Sequence, residues 1–289
     1  MAEGILLSLS AAVVYAFMGI SFESAGKRRH NVWDVIFWKQ LIGFGICLTA
    51  AAFLQDRWFS SRLLFLGVLA AISYILTLAT YLVATRDREI SANWTIINLS
   101  VVLPILVSIF WFKDPFSWTK GLGLVLTLVS IVLIGGGLQG AAGGSETSRW
   151  LLCILVAFFF NGWLVAILRF VPQESSMLFN TYFHGISLVL LLPFMWGKGR
   201  SWKPSGGVLG VSAGAAVTHL AGMTLTIAAL ALVGRASSQA GLVVFPITNG
   251  LVIPLGVVLG AVLLKQRIRG RNWLGVALGT VAMVFLSLP

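Results

Sequence analysis

Two histidines and one lysine lie inside long apolar stretches of this sequence, where an ionisable side chain is costly to place. His184 and His219 are the histidines, and Lys39 lies roughly 10 Å along its stretch at ~1.5 Å of helix per residue. An imidazole titrates near neutral pH and can relay protons, whereas a lysine ammonium can hold a carboxylate or phosphate. The nine acidic residues are predicted in turns or at the ends of apolar stretches. Anion binding and histidine proton transfer are therefore the chemistries to consider.

Neutral polar and aromatic residues are spread over the same apolar stretches. Buried amides and hydroxyl groups need hydrogen-bond partners or water. A single residue of this kind commonly bonds one helix to another, but the set as a whole is better explained by a polar cavity. Together with the three ionisable residues it forms the predicted binding site: Tyr15, Lys39, Tyr74, Trp94, Asn98, Asn161, Trp163, His184, His219, Gln239 and Asn249.

The elements that must position these residues are membrane-spanning helices. Of 289 residues, 58% are hydrophobic and 10% are charged, against about a quarter charged in soluble domains. A spanning helix needs about 20 apolar residues. The sequence predicts an all-α integral membrane protein with ten such helices, at residues 5–22, 32–54, 63–84, 91–112, 118–138, 150–170, 177–196, 207–233, 237–264 and 273–288.

The ionisable residues also have structural interpretations in this setting. Lys39 could pair with Asp34, or its stem could follow the helix until the ammonium reaches the membrane interface. His219 could face a cavity or bond to a neighbouring helix, and for His184, nearer its span's end, the structural role is favoured. The sharper hypothesis is that Lys39 anchors a carboxylate or phosphate of a substrate.

Other classes of function have little support in the sequence. The two cysteines lack metal-ligand spacing, so neither a metal nor a cofactor is expected. There is no HExxH motif and no cluster of His and acidic residues to indicate an enzyme. The net charge of +11 is scattered over many turns, which argues against nucleic acid and favours contact with anionic lipid headgroups. The expected partners are a small-molecule substrate and the bilayer, for a monomer or homodimer.

Two turns of the chain have similar sequences. The stretch "FKDPFSWTKGLG", residues 112–123, recurs as "LKQRIRGRNWLG", residues 264–275, so that Lys113 aligns with Lys265. Five predicted spans separate the two turns, and an odd number places them on opposite membrane faces. We therefore expect two inverted five-helix repeats, residues 1–139 and 140–289. Many secondary transporters are built this way, with the substrate near the midplane and alternating access around it.

Prolines and glycines of the fourth and ninth spans are the candidate hinges. Proline interrupts the helix hydrogen bonds and glycine permits bending, although both also allow close helix packing. The predicted gating residues are Pro104, Pro246, Gly250 and Pro254.

This pattern resembles the EamA-type members of the drug/metabolite transporter superfamily. A proline-bearing fourth span, a polar turn and a following "LG" carry the resemblance, and they recur in spans nine and ten. Family members typically begin each turn with a glutamate, whereas this chain has Asp114 and Gln266. The resemblance implies a ten-span transporter of the bacterial inner membrane.

Charge and resemblance disagree about orientation. Most of the 20 lysines and arginines lie on the face opposite the termini, which by the positive-inside rule puts both termini outside. The resemblance implies cytoplasmic termini, and we favour the charge count.

The expected function is secondary transport of a small polar metabolite, such as an amino acid, by alternating access. The family resemblance implies efflux, and the shortage of buried acids favours facilitated diffusion or exchange over proton antiport. The alternatives are a proton-coupled carrier for a nucleoside, sugar or vitamin, and a channel-like protein.

Overall fold

A computed structural model of the protein describes residues 1–54, 59–87, 90–136, 145–196, 203–237, 239–265 and 270–287. Over these residues the regular structure consists of α-helices with two 3-10 turns, Leu168–Phe170 and Gln173–Ser175. The helices are α1 (Ala2–Lys27), α2 (Val32–Leu54), α3 (Ser61–Asp87), α4 (Ile90–Leu99), α5 (Val102–Phe110), α6 (Trp118–Gly136), α7 (Ser145–Ile167), α8 (Ser176–Met195), α9 (Gly206–Ala236), α10 (Ala240–Leu264) and α11 (Gly270–Ser287).

Ten apolar segments account for these helices. Eight are long and apolar enough to cross a membrane, with α4 and α5 counted together as Asn93–Phe110. Trp118–Ser130 in α6 and Trp273–Leu286 in α11 are shorter apolar helices. The prediction of an all-α integral membrane protein with ten helices is confirmed. Gln266 and the span ends predicted at Leu138 and Leu288 lie outside the described residues.

The surface of the bundle is apolar and its interior holds polar groups. Phe53 is 84% exposed and Val262 68% exposed, as expected for side chains that contact lipid. In contrast, Gln40, Asn93 and Asn180 are fully buried. Lipid gives apolar side chains no reason to turn inward, so packing and interhelical hydrogen bonds hold the helices together.

Helix contacts follow a regular pattern along the chain. Helix α1 packs on α9, α3 packs on α7, and α6 packs on α11. Each helix has a counterpart in the other half, five spans away. Replacing each helix by its counterpart converts the α1–α9 pair into the α7–α3 pair and leaves the α6–α11 pair unchanged. The aligned lysines of the two similar turns, Lys113 and Lys265, both adopt the left-handed conformation, with φ of 59° and 52°.

The fourth span, predicted as one helix, is interrupted between α4 and α5. Pro104 has no N–H to donate to the carbonyl of Ser100, and that carbonyl accepts from the N–H of Leu103 instead, at 2.9 Å. The N–H groups of Ser100 and Val101 likewise bond three residues back, in 3-10 fashion. The ninth span differs, because α10 continues past Pro246 and Pro254.

Helix α1 extends beyond the predicted end at Phe22. Glu23, expected at the end of a span, therefore lies within the helix and is only 3% exposed. The first span thus carries a buried acidic residue that the predicted boundary had excluded.

Candidate functional site

A cavity of about 70 Å³ lies between the two halves of the bundle, with room for several water molecules. Its walls come from α1, α3 and α4 of the first half and from α7, α9 and α10 of the second. These are spans one, three and four and their counterparts five spans later. The polar residues predicted from sequence that line it are Tyr15, Tyr74, Trp94, Asn98, Asn161, His219 and Asn249.

Two asparagines hold matching positions in the two halves. Asn98 donates its amide N–H to the carbonyl of Trp94 at 2.8 Å, and Asn249 donates to the carbonyl of Phe245 at 3.0 Å. Each therefore bonds to the carbonyl four residues earlier in its own helix. Because both amide nitrogens are engaged, each side chain has its amide oxygen available as an acceptor at the cavity wall.

Asn161 of α7 bonds to the interruption between α4 and α5. Its amide nitrogen lies 3.2 Å from the carbonyl oxygen of Ile97 and 2.8 Å from Oγ of Ser100. A break in a helix leaves backbone groups short of their usual partners. Asn161 compensates for this loss from the opposite half of the bundle, and so fixes α7 to the broken span beside the cavity.

Sequence reasoning missed part of the polar lining. Thr77 and Tyr81 lie on the same face of α3 as Tyr74, and Thr226 and Thr248 contribute from α9 and α10. The spacing of Tyr74, Thr77 and Tyr81, at three and four residues, places them on one helix face. That spacing could have identified the α3 residues from the sequence.

Several polar atoms of lining residues are buried without a hydrogen-bond partner in the described structure: Tyr74 Oη, Thr77 Oγ1, Tyr81 Oη and Trp94 Nε1. Leaving such groups unpaired costs about 1–3 kcal/mol each. An arrangement of this kind is typical of a site whose hydrogen bonds are completed by water or by a ligand.

Lys39 lies directly behind this wall and is fully buried. Its Nζ is 3.0 Å from Oε1 of Gln40 and 2.8 Å from Nδ1 of His219. The ammonium also lies 4.1 Å from the centre of the Tyr74 ring, within the range of a cation–π interaction. Lys39 therefore does not extend to the membrane interface, and the two side chains that bond its Nζ are neutral.

His184 belongs to the same network but not to the cavity wall. Its Nδ1 lies 2.6 Å from Oε1 of Gln40, an atom that can only accept, so the N–H is on His184 Nδ1. The Gln40 oxygen thereby joins His184 to Lys39. The close approach of α8 depends on Gly43, where a Cβ would lie 2.6 Å from the His184 ring.

Two predicted site residues lie elsewhere. Trp163 is 43% exposed and lines an outward-facing apolar groove. Gln239 is the residue before α10 begins at Ala240, ten residues from Asn249 along the chain, or about 15 Å of helix. Of the predicted hinge residues, Pro104 lies at the helix interruption, whereas Gly250 packs against Met283 of α11.

A buried ion pair lies at the membrane face on which α1 begins. The guanidinium of Arg169 donates to both carboxylate oxygens of Asp114, at 2.7 and 2.9 Å, and also to Ser108. Its central carbon lies 4.0 Å from the centre of the Phe112 ring. The neighbouring Leu168 lines the cavity. Asp114 thus joins the α5–α6 turn to the 3-10 turn Leu168–Phe170 that follows α7.

No group of three or more His, Cys, Asp or Glu side chains that could hold a metal ion occurs among the described residues.

Comparisons with known proteins agree with the family resemblance that the turn and proline pattern indicated. Residues 2–136 match the EamA-like transporter family. A probable 4-amino-4-deoxy-L-arabinose-phosphoundecaprenol flippase subunit ArnF of Shewanella sediminis is 30% identical over 63 residues, covering 21% of this chain and 43% of the relative. The protein of the same description from Proteus mirabilis is 23% identical over 90 residues, covering 28% of this chain and 68% of the relative.

A solved crystal structure shares the fold over nearly the whole length. The TM-score is 0.67 at 15% sequence identity, with 99% of this chain and 98% of the other covered. This likeness concerns the arrangement of helices alone. Residues 2–136 are similar to the EamA-like transporter family, in agreement with the resemblance to EamA-type members.

Proposed function

We propose that this membrane transporter is a secondary carrier that moves a small polar metabolite by alternating access around the central cavity. Residues 1–139 and 140–289 are, in this proposal, two inverted repeats that rock against each other. The observation that carries it is the origin of the cavity walls: the same three spans of each half contribute, α1, α3 and α4 with α7, α9 and α10.

The interrupted fourth span supports a moving element at this site. Discontinuous helices are tolerated at membrane depth where they are buried in protein or line a cavity, and they commonly form the binding sites of carriers. Here the break between α4 and α5 lies directly after the cavity residues Ile97 and Asn98. The Arg169–Asp114 pair supports closure on one face, because it ties α7 to the α5–α6 turn.

The leading substrate is an amino acid or a related metabolite. Hydroxyl, amide and imidazole groups line the cavity together with aromatic rings, which suits a small molecule with both polar and apolar parts. We infer efflux across the bacterial inner membrane, by facilitated diffusion or exchange. A proton-coupled carrier of a nucleoside, sugar or vitamin is the alternative, and His219 would be its titratable cavity residue.

A lipid-linked sugar is a second candidate substrate, because the names of the Shewanella and Proteus relatives concern such a compound. An apolar groove of about 770 Å³ opens on the outer surface between α3, α5 and α7. Ile167 and Phe170 line this groove, next to Leu168 of the cavity. A sugar head in the cavity and a prenyl tail in the groove would fit this arrangement.

Solute counterflow in proteoliposomes tests the carrier proposal. A thermal-shift screen of the purified protein against amino acids, nucleosides, sugars and vitamins identifies a soluble ligand. We expect its uptake to saturate and to be accelerated by the same solute trapped inside. Uptake that rises linearly with concentration and shows no counterflow would instead identify a pore.

The same vesicles distinguish facilitated diffusion from proton coupling and from transport of a lipid-linked sugar. Net flux of the solute that stalls when a pH gradient is collapsed would favour proton coupling. Movement of a fluorescent phosphoundecaprenol-linked aminosugar between leaflets, above the rate in protein-free vesicles, would favour the lipid-linked substrate.

A further inference from the structure

Resting on the proposed carrier function, we propose that the transported molecule carries an anionic group, a carboxylate or a phosphate, which binds at His219 and Tyr74 with Lys39 behind them. The first observation in support of this proposal is the surroundings of Lys39. A buried charge needs an opposite charge nearby, and neutral hydrogen-bond acceptors compensate only in part. The hydrogen bonds of Nζ go to Gln40 and His219, which are both neutral side chains, and the Arg169–Asp114 ion pair does not include Lys39.

The hydrogen bond between Lys39 and His219 sets the position of the histidine proton when Lys39 is protonated. An ammonium group has donors only, so Nδ1 of His219 then accepts. A neutral imidazole that accepts at Nδ1 carries its hydrogen on Nε2. His219 lines the cavity and its Nδ1 is occupied by Lys39, so its Nε2–H is the group available to a ligand. The ammonium thus polarises a donor that faces the cavity.

Tyr74 supplies the second half of the anion site. Its ring face covers the Lys39 ammonium at 4.1 Å, and its ring centre lies 4.9 Å from that of His219. Its hydroxyl is buried without a partner in the described structure, and the residue lines the cavity. One hydroxyl donor and one imidazole donor beside a buried ammonium are suited to a carboxylate or phosphate oxygen.

The rest of the wall agrees with an anion rather than a cation. No Asp or Glu is among the cavity-lining residues that the structure describes. A substrate ammonium placed near His219 would be repelled by Lys39 and would find no carboxylate in the described wall to offset this. Gln40 acts as a positioning residue, because its Oε1 receives hydrogen bonds from both Lys39 and His184.

Small probes that differ in charge but little in shape test this site. We would measure the thermal shift of the detergent-purified full chain with propionate, propionamide, propylammonium and inorganic phosphate. We expect propionate or phosphate to stabilise the wild-type protein at concentrations about tenfold below those at which propionamide acts, as for a charge-assisted hydrogen bond. Stabilisation by propylammonium or propionamide equal to that by the anions would overturn the proposal.

Variants identify the binding groups. Lys39→Met should abolish the preference for propionate over propionamide, Lys39→Arg should retain part of it, and Tyr74→Phe should weaken anion binding about tenfold. As a control, Lys203→Met removes a lysine charge from the exposed surface and should leave the preference for propionate over propionamide unchanged. If Lys39→Met fails to fold, as judged by size-exclusion chromatography, Tyr74→Phe still decides. Unchanged anion binding in the folded variants would refute the assignment.

The test of the anion site and the test of the transport proposal can fail independently. Counterflow of an uncharged or cationic solute, with no anion binding, would leave the carrier intact and remove the anion site. Lys39-dependent anion binding without saturable flux would support the anion site and contradict the carrier proposal.

Discussion

Gly222 controls the position of a cavity residue. A Cβ at Gly222 would collide with the ring of Tyr15, which lines the cavity. Gly222→Ala should push this ring into the cavity and lower apparent substrate affinity in the counterflow assay about tenfold, with a modest loss of stability. Gly210→Ala on the same helix is the control, because a Cβ there meets nothing within 4 Å. Equal behaviour of the two variants would contradict the role given to Tyr15.

Single residues at the cavity wall could be predicted from the sequence when their type is unusual for a membrane span. Asn98, Asn249 and His219 are rare in apolar spans, and each lines the cavity. Thr77 and Thr226 were not predicted because threonine is common in membrane helices and usually bonds its own backbone, as Thr226 does to the carbonyl of Gly222 at 2.8 Å. The direction of a side chain decides such cases, and Trp163 points outward.

At the scale of the helix, the interruption of the fourth span was only half predictable. Pro104, Pro246 and Pro254 give the same local signal, yet helix α10 continues through its two prolines. What distinguishes Pro104 is a partner from another helix, since Asn161 bonds to Ile97 and Ser100 at the break. The sequence contains both residues but does not show that they meet.

Asn161→Leu tests whether α7 stabilises this break. The substitution removes two hydrogen bonds and leaves polar groups unpaired, so we expect a loss of about 1–3 kcal/mol in the free energy of unfolding. Thermal and denaturant unfolding in detergent would measure it. Leu152→Ala, on the lipid-facing side of the same helix, should cost less, since Leu152 is 65% exposed. A loss no larger than that of Leu152→Ala would mean that the break is held by other contacts.

For the whole molecule, ten helices follow from composition and apolar length, and the structure contains them. The contacts between the two halves could not be predicted. Asp114 lies in a predicted turn and Arg169 near the predicted end of a span, and the two residues meet only in the folded protein. The correspondence of α1–α9 with α7–α3 supports the proposed inverted repeats. Alternating access is the claim that joins these observations.

Accessibility of a cavity residue from each side of the membrane tests that claim most directly. Thr226→Cys would be placed in a chain lacking both native cysteines, Cys47 and Cys153, and labelled in sealed vesicles by an impermeant maleimide from one face at a time. We predict labelling from either face. Arg169→Ala leaves the buried Asp114 unpaired, an effect worth about 3–5 kcal/mol, and should increase labelling from the face on which α1 begins while decreasing it from the other. Labelling that rises from both faces together, or that occurs from one face only in every variant, would contradict alternating access.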